Sequence, residues 1–218
     1  MLNPTCVGKA ARICQARRLM VSRPPRIALS SAMRLFIALP LPAQVRAALA
    51  AAQERLRRGN PPVRWTDATR MHLTLQFLGE TGAALTPTLI AGLAELDVPP
   101  IHLALSGLGA FPGLQRPRVI WAGVAGDIGA LDRLRTAVFA VTTPLGFAPE
   151  ARPFTPHLTL GRLRDDARPE AIRALAATLR AAAPLPALAW EAGRPILYQS
   201  TLKPEGPVYT ALGPEADA

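Results

Sequence analysis

The alternation of apolar and polar residues predicts strands and helices in turn from Met33 onward. Segment 34–40 is a short apolar run that ends at prolines, and segment 70–79 alternates polar and apolar residues with the period of two that is typical of a strand. Segment 42–59 between them carries apolar residues at helical spacing and ends at a glycine. The pattern therefore predicts a strand, a helix and a second strand.

The same rhythm continues to the C-terminal part of the chain. Further helices are predicted over 86–96, 127–141 and 169–182, and further strands over 101–111, 118–124, 154–163, 187–192, 195–202 and 207–212. Thr86 is the predicted N-cap of the second helix. The short strands and short gaps favour an antiparallel or mixed sheet. Because no long Gly/Ser-rich spacer interrupts the pattern, residues 33–218 are expected to form one packed unit.

The first 32 residues differ in composition from the rest of the chain. They lack acidic residues, and their basic residues are Lys9, Arg12, Arg17, Arg18, Arg23 and Arg26. We predict a leader outside the fold, either disordered or placed there by a start codon assigned too early, with Met33 beginning the first strand. Both cysteines, Cys6 and Cys14, also lie in this leader, so the remainder cannot depend on a disulfide and fits a reducing cytoplasm.

Charge and hydropathy narrow the class of protein only a little. Half of the residues are hydrophobic, but no apolar run reaches the roughly 18 residues of a membrane span, so we expect no membrane segment. The net charge is +10, and much of it comes from the leader. The modest basic excess of the rest is compatible with a polyanionic partner such as a nucleic acid.

A four-residue phrase, His-Leu-Thr-Leu, occurs twice in the predicted strands. Residues two apart on a strand share a face, so His72 lies beside Thr74, and His157 beside Thr159. The intervening leucines are expected to be buried on the opposite face. One such pair is most often a half-buried polar face, but two identical pairs in a chain with three histidines indicate a joint site.

Two histidines and two hydroxyls suit the cleavage of a phosphodiester. Histidine has an ordinary pKa of about 6.5, so one imidazole can protonate a leaving oxygen while the other accepts a proton from water. Threonine hydroxyls can donate to the non-bridging oxygens, where negative charge accumulates. Arg162, five residues after His157, can clamp a phosphate. This chemistry requires neither a metal nor a cofactor, and we predict none.

The tandem motifs and several flanking phrases resemble one known family. With "RLFIALPLP", "TPHLTLGRL" and "LYQSTLKPEGPVYTAL", the chain is similar to the RNA 2′,3′-cyclic phosphodiesterases of the two-histidine phosphoesterase superfamily, historically called 2′-5′ RNA ligases. The resemblance extends from Met33 to about Leu212. It implies an α+β, bilobal fold with two pseudo-symmetric lobes, each an antiparallel sheet with outer helices. The motif strands would line the central cleft.

The resemblance also implies roles for individual residues. His72 would donate a proton to the leaving 3′ oxygen of an RNA terminal 2′,3′-cyclic phosphate, and His157 would accept one from water, which leaves a 2′-phosphomonoester. The residues that would hold the phosphate are Thr74, Thr159 and Arg162. Phe36 would line the cleft and stack on a base. The implied partner is RNA with a cyclic phosphate end, and we expect a cytoplasmic monomer.

The motifs alone leave other interpretations open. The same site could join a 2′-5′ linkage, which is the reverse reaction, or act on ADP-ribose cyclic phosphate. A non-catalytic module that only binds RNA ends is a further alternative, although Lys or Arg would serve binding as well as histidine. The motifs do not indicate which histidine is the acid. His102 lacks a threonine two residues later and is expected to lie outside the site.

Overall fold

The described residues form one sheet and a set of helices. The computed structural model describes residues 32–182, 184–204 and 206–213. In chain order the elements are β1 (Ala32–Pro40), α1 (Ala43–Arg57), β2 (Val63–Trp65), β3 (His72–Gly82), α2 (Thr86–Ala94), β4 (His102–Phe111), β5 (Val119–Gly126), α3 (Ile128–Thr142), β6 (His157–Leu163), α4 (Pro169–Ala181), β7 (Ala189–Glu191), β8 (Ile196–Lys203) and β9 (Gly206–Leu212). Short 3₁₀ turns at Ala68–Arg70, Ala83–Leu85 and Thr143–Leu145 connect some of them.

All strand pairs are antiparallel, and the two motif strands are neighbours at the centre of the sheet. The strand order is β7-β4-β5-β6-β3-β1-β8-β9, and β2 also pairs with β6. We call β3, β1, β8 and β9 the first strand group, and β2, β6, β5, β4 and β7 the second strand group. One residue pair, Leu73 with Leu158, joins β3 to β6. The α+β class with an antiparallel sheet is confirmed, but the two groups are joined into one sheet rather than two.

The strand groups are not the N-terminal and C-terminal halves of the chain. The first group combines β1 and β3 with the last two strands, β8 and β9, because β8 pairs with β1. The helices also connect the two halves of the sequence. A side chain of α1 donates a hydrogen bond to β6 of the second group, and a side chain of α3 donates one to β3 of the first group. Each motif strand is thus supported by a helix that comes from the other half of the sequence.

The leucines of both motifs lie in the core, as the alternation predicts. Leu73, Leu75, Leu158 and Leu160 are all buried in one hydrophobic cluster that extends across both strand groups. Burial of a leucine side chain contributes about 1.5–3 kcal/mol, so these residues fix which face of each strand points inward. The histidines and threonines of the motifs are therefore presented on the opposite face, which we call the front face.

The predicted elements agree with the structure except at a few positions. The three-residue strand β2 was not predicted, because Val63–Trp65 is too short to display a period. Strand β6 begins at His157 rather than at residue 154. The predicted N-cap role of Thr86 is wrong: Leu85 is the N-cap of α2, and no side chain bonds to that helix start. The predicted leader lies outside the described residues, apart from Ala32. In the described ranges, no helix has the length and apolar character needed to cross a membrane.

Candidate active site

A capped turn positions the first histidine. Asp67 accepts hydrogen bonds from the backbone N–H of Thr69 at 2.8 Å and from its hydroxyl at 2.6 Å, which stabilises the 3₁₀ turn Ala68–Arg70. The same bonds to Thr69 lower the pKa of the Asp67 carboxyl. The turn delivers the Arg70 carbonyl to His72, whose Nδ1 lies 2.8 Å from that oxygen. The contacts that orient the imidazole are therefore local in sequence, all within residues 67–72.

The second histidine has the same local geometry. Nδ1 of His157 lies 2.8 Å from the carbonyl oxygen of Thr155, again two residues earlier. A carbonyl oxygen can only accept, so Nδ1 carries the proton and donates it in both cases. Nε2 of each ring is therefore the nitrogen that is available for proton transfer. A neutral Nε2 can accept a proton, and a protonated one can donate it, which makes the two rings equally fit for either role.

The pairing of β3 with β6 brings the two motifs together. Leu73 is opposite Leu158 in antiparallel register, so His72 comes next to Thr159, and Thr74 next to His157. All four front-face side chains are half-buried. The histidines stand diagonally across the Leu73–Leu158 pair, each with a hydroxyl from the other strand beside it. Such an arrangement can contact one tetrahedral group from two sides.

Burial lowers the pKa of both imidazoles. Desolvation lowers the pKa of His72 below its ordinary value; the hydrogen bond to Arg70 opposes this shift, and the positive charge of a protonated His157 adds to it. Desolvation also lowers the pKa of His157, opposed by the bond to Thr155 and reinforced by the charge of Arg162. The two histidines are thus close enough to act on each other, and burial disfavours the protonated form of each.

Arg162 lies on the front face near the second motif. Its charge acts on both His157 and the hydroxyl of Tyr209, although Tyr209 has a raised pKa because burial outweighs the nearby arginines. The side chain is exposed, and its backbone pairs with Arg64 on β2. An exposed guanidinium beside two front-face rings can clamp an anion between the strand groups. Arg162 thus lies on the same face as His157, and its contact with phosphate stays a prediction.

The front face of the first strand group is aromatic. Phe36 contacts the ring of His72 at 4.7 Å between centroids, stacks on Tyr198 at 5.3 Å, and meets Tyr209 edge-on at 5.1 Å. Phe36 is only 2 % exposed. Its faces are already occupied by its neighbours, so the predicted stacking of a base on Phe36 is contradicted by its burial. Phe36 instead forms the wall against which His72 packs.

A second aromatic residue takes the exposed position. Phe77 is 60 % exposed and lies 6.2 Å from Phe36 between ring centroids. It follows His72 by five residues, the same offset that separates Arg162 from His157. Sequence reasoning missed Phe77, yet this repeated offset was a signal that could have found it. In the second strand group, Phe111 meets His157 edge-on at 4.8 Å.

Comparison with known proteins decides the family. A model of the LigT-like phosphoesterase family matches residues 39–121 and 124–209, which together are well over half of the chain. The chain belongs to this family. Both motifs of this LigT-like phosphoesterase fall inside the matched segments, one in each.

Curated relatives and solved structures agree with this family. The chain is 34% identical over 164 residues to an RNA 2′,3′-cyclic phosphodiesterase of Aeropyrum pernix, covering 75% of this chain and 92% of the relative. It is 38% identical over 193 residues to one of Thermus thermophilus, covering 83% and 88%. Among solved structures, TT0787 of Thermus thermophilus has a TM-score of 0.68 and 36% identity over 83% of this chain and 96% of that one. Escherichia coli LigT bound to 3′-AMP has a TM-score of 0.66 and 26% identity over 84% and 97%.

Neither His102 nor, among the described residues, a cluster of metal ligands contributes to the site of this LigT-like phosphoesterase. His102 is exposed at the start of β4, where its backbone pairs with Glu191 of the edge strand β7, so it is not brought near the motifs. Within residues 32–182, 184–204 and 206–213, no group of three or more His, Cys, Asp or Glu side chains is placed to hold a metal ion. Of the three histidines, only the two in the repeated motif meet at the front face.

Proposed function

We propose that the chain hydrolyses the terminal 2′,3′-cyclic phosphate of RNA to a 2′-phosphomonoester without a metal ion. The observation that supports this most directly is the mirrored pair of imidazoles, each donating from Nδ1 to a carbonyl and each with Nε2 left free. The curated relatives of Aeropyrum pernix and Thermus thermophilus carry the same activity in their names. A cytoplasmic location and a monomeric state belong to this proposal.

The proton transfers balance with two histidines. As the water oxygen attacks phosphorus, its proton passes to Nε2 of neutral His157. The bond between phosphorus and the 3′ oxygen breaks, and Nε2 of protonated His72 gives its proton to that oxygen. The product carries a 2′-phosphate and a 3′ hydroxyl, and proton exchange with solvent restores the starting histidines. The assignment of His72 as donor and His157 as acceptor rests on the family resemblance.

Three side chains stabilise the negative charge that accumulates on the non-bridging oxygens of the phosphate. The hydroxyls of Thr74 and Thr159 donate to the non-bridging oxygens from the two strands, and Arg162 supplies a positive fork from the second strand group. Because each threonine stands beside the histidine of the other motif, the phosphate is held between the acid and the base. Holding reactants in this way lowers the entropic part of the barrier.

Phe77 replaces Phe36 as the residue that stacks on a base of the RNA. Its ring is exposed, adjoins the aromatic wall beside His72, and lies on the strand that carries the predicted acid. An exposed aromatic ring offers a platform to any nucleobase, whatever its identity. Such a site contributes affinity for the strand rather than sequence preference.

A product assay in EDTA tests the reaction and its catalytic residues. The full chain is incubated with a short RNA ending in 2′,3′-cyclic phosphate, and phosphorus NMR assigns the position of the product phosphate. We expect a 2′-phosphate, with a rate reduced by at least about 100-fold in His72→Ala and in His157→Ala. His102→Ala is the matched control and keeps the wild-type rate. Folded protein without turnover would favour the RNA-end-binding alternative, and turnover that stops in EDTA would contradict metal independence.

A further inference from the structure

Two buried polar side chains each donate a hydrogen bond to one motif strand, at the equivalent position of the His-Leu-Thr-Leu phrase. Gln53 of α1 is 3 % exposed, and its Nε2 donates to the carbonyl of Leu160 at 2.7 Å. Arg135 of α3 is 6 % exposed, and its Nε donates to the carbonyl of Leu75 at 3.1 Å. Leu75 and Leu160 are each the fourth residue of a His-Leu-Thr-Leu phrase. Neither buried side chain belongs to the catalytic constellation, and each is held by specific partners.

Both carbonyls lie where the strand register shifts. Between β1 and β3 the pairing passes from Ala38–Thr74 to Ile37–Gln76, which leaves Leu75 without an opposite residue. Between β5 and β6 it passes from Trp121–Thr159 to Ile120–Gly161, which leaves Leu160 without one. A bulge of this kind frees a carbonyl from the ladder and reverses the alternation of faces. The helices add a side-chain hydrogen bond at each of these carbonyls; that of Leu160 also accepts one from the backbone N–H of Thr66 at 2.8 Å.

The bulges decide which residues reach the front face beyond the motifs. With strict alternation, residues that follow a histidine by an odd number of positions would point into the core. The extra residue in each strand instead returns Phe77 and Arg162 to the exposed side. The exposed aromatic ring and the exposed guanidinium of the proposed site are therefore consequences of the same device, a register shift at the fourth residue of each His-Leu-Thr-Leu phrase.

Each of the two side chains also holds the segment that leads into the opposite motif. Nε2 of Gln53 donates to the carbonyl of Thr66 at 2.7 Å, just before the turn whose last carbonyl orients His72. The guanidinium of Arg135 lies 4.5 Å from the ring centroid of Phe154, and its Nη2 is 3.9 Å from a carboxylate oxygen of Glu150. Those two residues precede Thr155, whose carbonyl orients His157.

We propose that Gln53 and Arg135 are a pair of crossed positioning residues that set the distance and angle between His72 and His157. Gln53 connects the β6 strand to the segment before His72, and Arg135 connects the β3 strand to the segment before His157. Neither residue touches the substrate. Because a misplacement of about 1 Å can cost about 100-fold in rate, two links that each couple both motifs suffice to control catalysis. The inference rests on the proposed function for its kinetic part only.

The experiment replaces each donor by an unbranched side chain, which matches the length of glutamine and is shorter than arginine. Gln53→Met and Arg135→Met remove the hydrogen bonds, Arg135→Lys keeps the charge but loses the planar fork, and the exposed neighbours Gln44→Met and Arg133→Met serve as matched controls. The full chain is assayed for kcat and KM on RNA with a cyclic phosphate end. We expect kcat to fall by about 10- to 100-fold in the buried variants, with a partial return in Arg135→Lys and no change in the controls.

Histidine NMR separates positioning from simple stability and does not depend on turnover. Loosening either link admits water to the two imidazoles, so the pKa of both His72 and His157 should rise toward the ordinary value. Variants that lose stability but keep kcat and both histidine pKa values would overturn the proposal. If the wild type shows no hydrolysis, the NMR shifts still decide whether these residues position the histidines. Should Arg135→Met fail to fold, Arg135→Lys and Gln53→Met carry the test.

Discussion

At the scale of single residues, the lowered pKa values of the two histidines predict the pH dependence of the reaction. A general acid must start protonated, so the lowered pKa of His72 moves the alkaline limb of the kcat/KM profile to lower pH. A general base must start neutral, so the lowered pKa of His157 moves the acid limb in the same direction. We expect a bell-shaped profile with its maximum below about pH 6.5, measured on RNA with a cyclic phosphate end.

The bound substrate changes the pH dependence. The negative charge of the phosphodiester favours the protonated form of both imidazoles, so the kcat profile, which reports the enzyme–substrate complex, should lie at higher pH than the kcat/KM profile. His102→Ala should leave both profiles unchanged. A kcat/KM maximum above about pH 8 would contradict the role of an acid with a lowered pKa at position 72.

Phe77 permits a second prediction at the same scale. Stacking of a base is worth about 1–3 kcal/mol, so Phe77→Ala should weaken the binding of an RNA oligonucleotide by about 5- to 150-fold, with Phe77→Tyr close to wild type. The effect on kcat should be small, since the ring does not touch the phosphate. Fluorescence anisotropy on His72→Ala protein measures binding without turnover. Leu202→Ala, another exposed apolar position, is the control, and equal affinity in Phe77→Ala would remove the ring from the RNA site.

At the scale of elements, Gly161 shows how closely β2 approaches the second motif strand. A Cβ atom on Gly161 would lie 2.6 Å from Cγ1 of Val63 and 2.9 Å from the carbonyl oxygen of Arg64. Gly161→Ala should therefore push β2 away and displace the adjoining Arg162, with a loss of about 1–3 kcal/mol in the free energy of unfolding and a lower kcat/KM. Urea unfolding and steady-state kinetics measure the two effects.

The matched control for this substitution lies on another strand. Gly107 on β4 has open space where a Cβ would be placed, so Gly107→Ala should leave both stability and kcat/KM near the wild-type values. Equal behaviour of the two alanine variants would show that β2 can shift without consequence for Arg162.

The elements also show what the sequence can and cannot predict. Period-two alternation predicted the motif strands and the buried leucines, because that pattern is set within each strand. The same alternation fails after Leu75 and Leu160, because a bulge is a property of two paired strands and not of one. Nothing in the local sequence around Arg135 indicates that its side chain reaches β3. The duplicated phrase revealed the histidines because it repeats, whereas their supporting residues do not.

At the scale of the whole molecule, the chain crosses between the strand groups several times. The C-terminal strand β8 completes the first group beside β1, and α1 supports the second group. Buried residues of both groups belong to one hydrophobic cluster. Neither group can therefore be cut out of the sequence as a continuous segment, and we infer that the two groups fold as one cooperative unit.

The distribution of tryptophan makes this inference measurable. The three tryptophans, Trp65, Trp121 and Trp190, all lie on strands of the second group, so their fluorescence reports on that group alone. Ile37 is 0 % exposed on β1 of the first group, and Ile37→Ala should cost about 2–5 kcal/mol. In a cooperative molecule the tryptophan transition in urea shifts to lower concentration by the same amount as the far-UV circular dichroism transition. Leu202→Ala, on the exposed part of β8, should shift neither. An unchanged fluorescence midpoint beside a biphasic dichroism curve would mean that the groups unfold separately, and then the Leu73–Leu158 pair could not hold the two histidines in register.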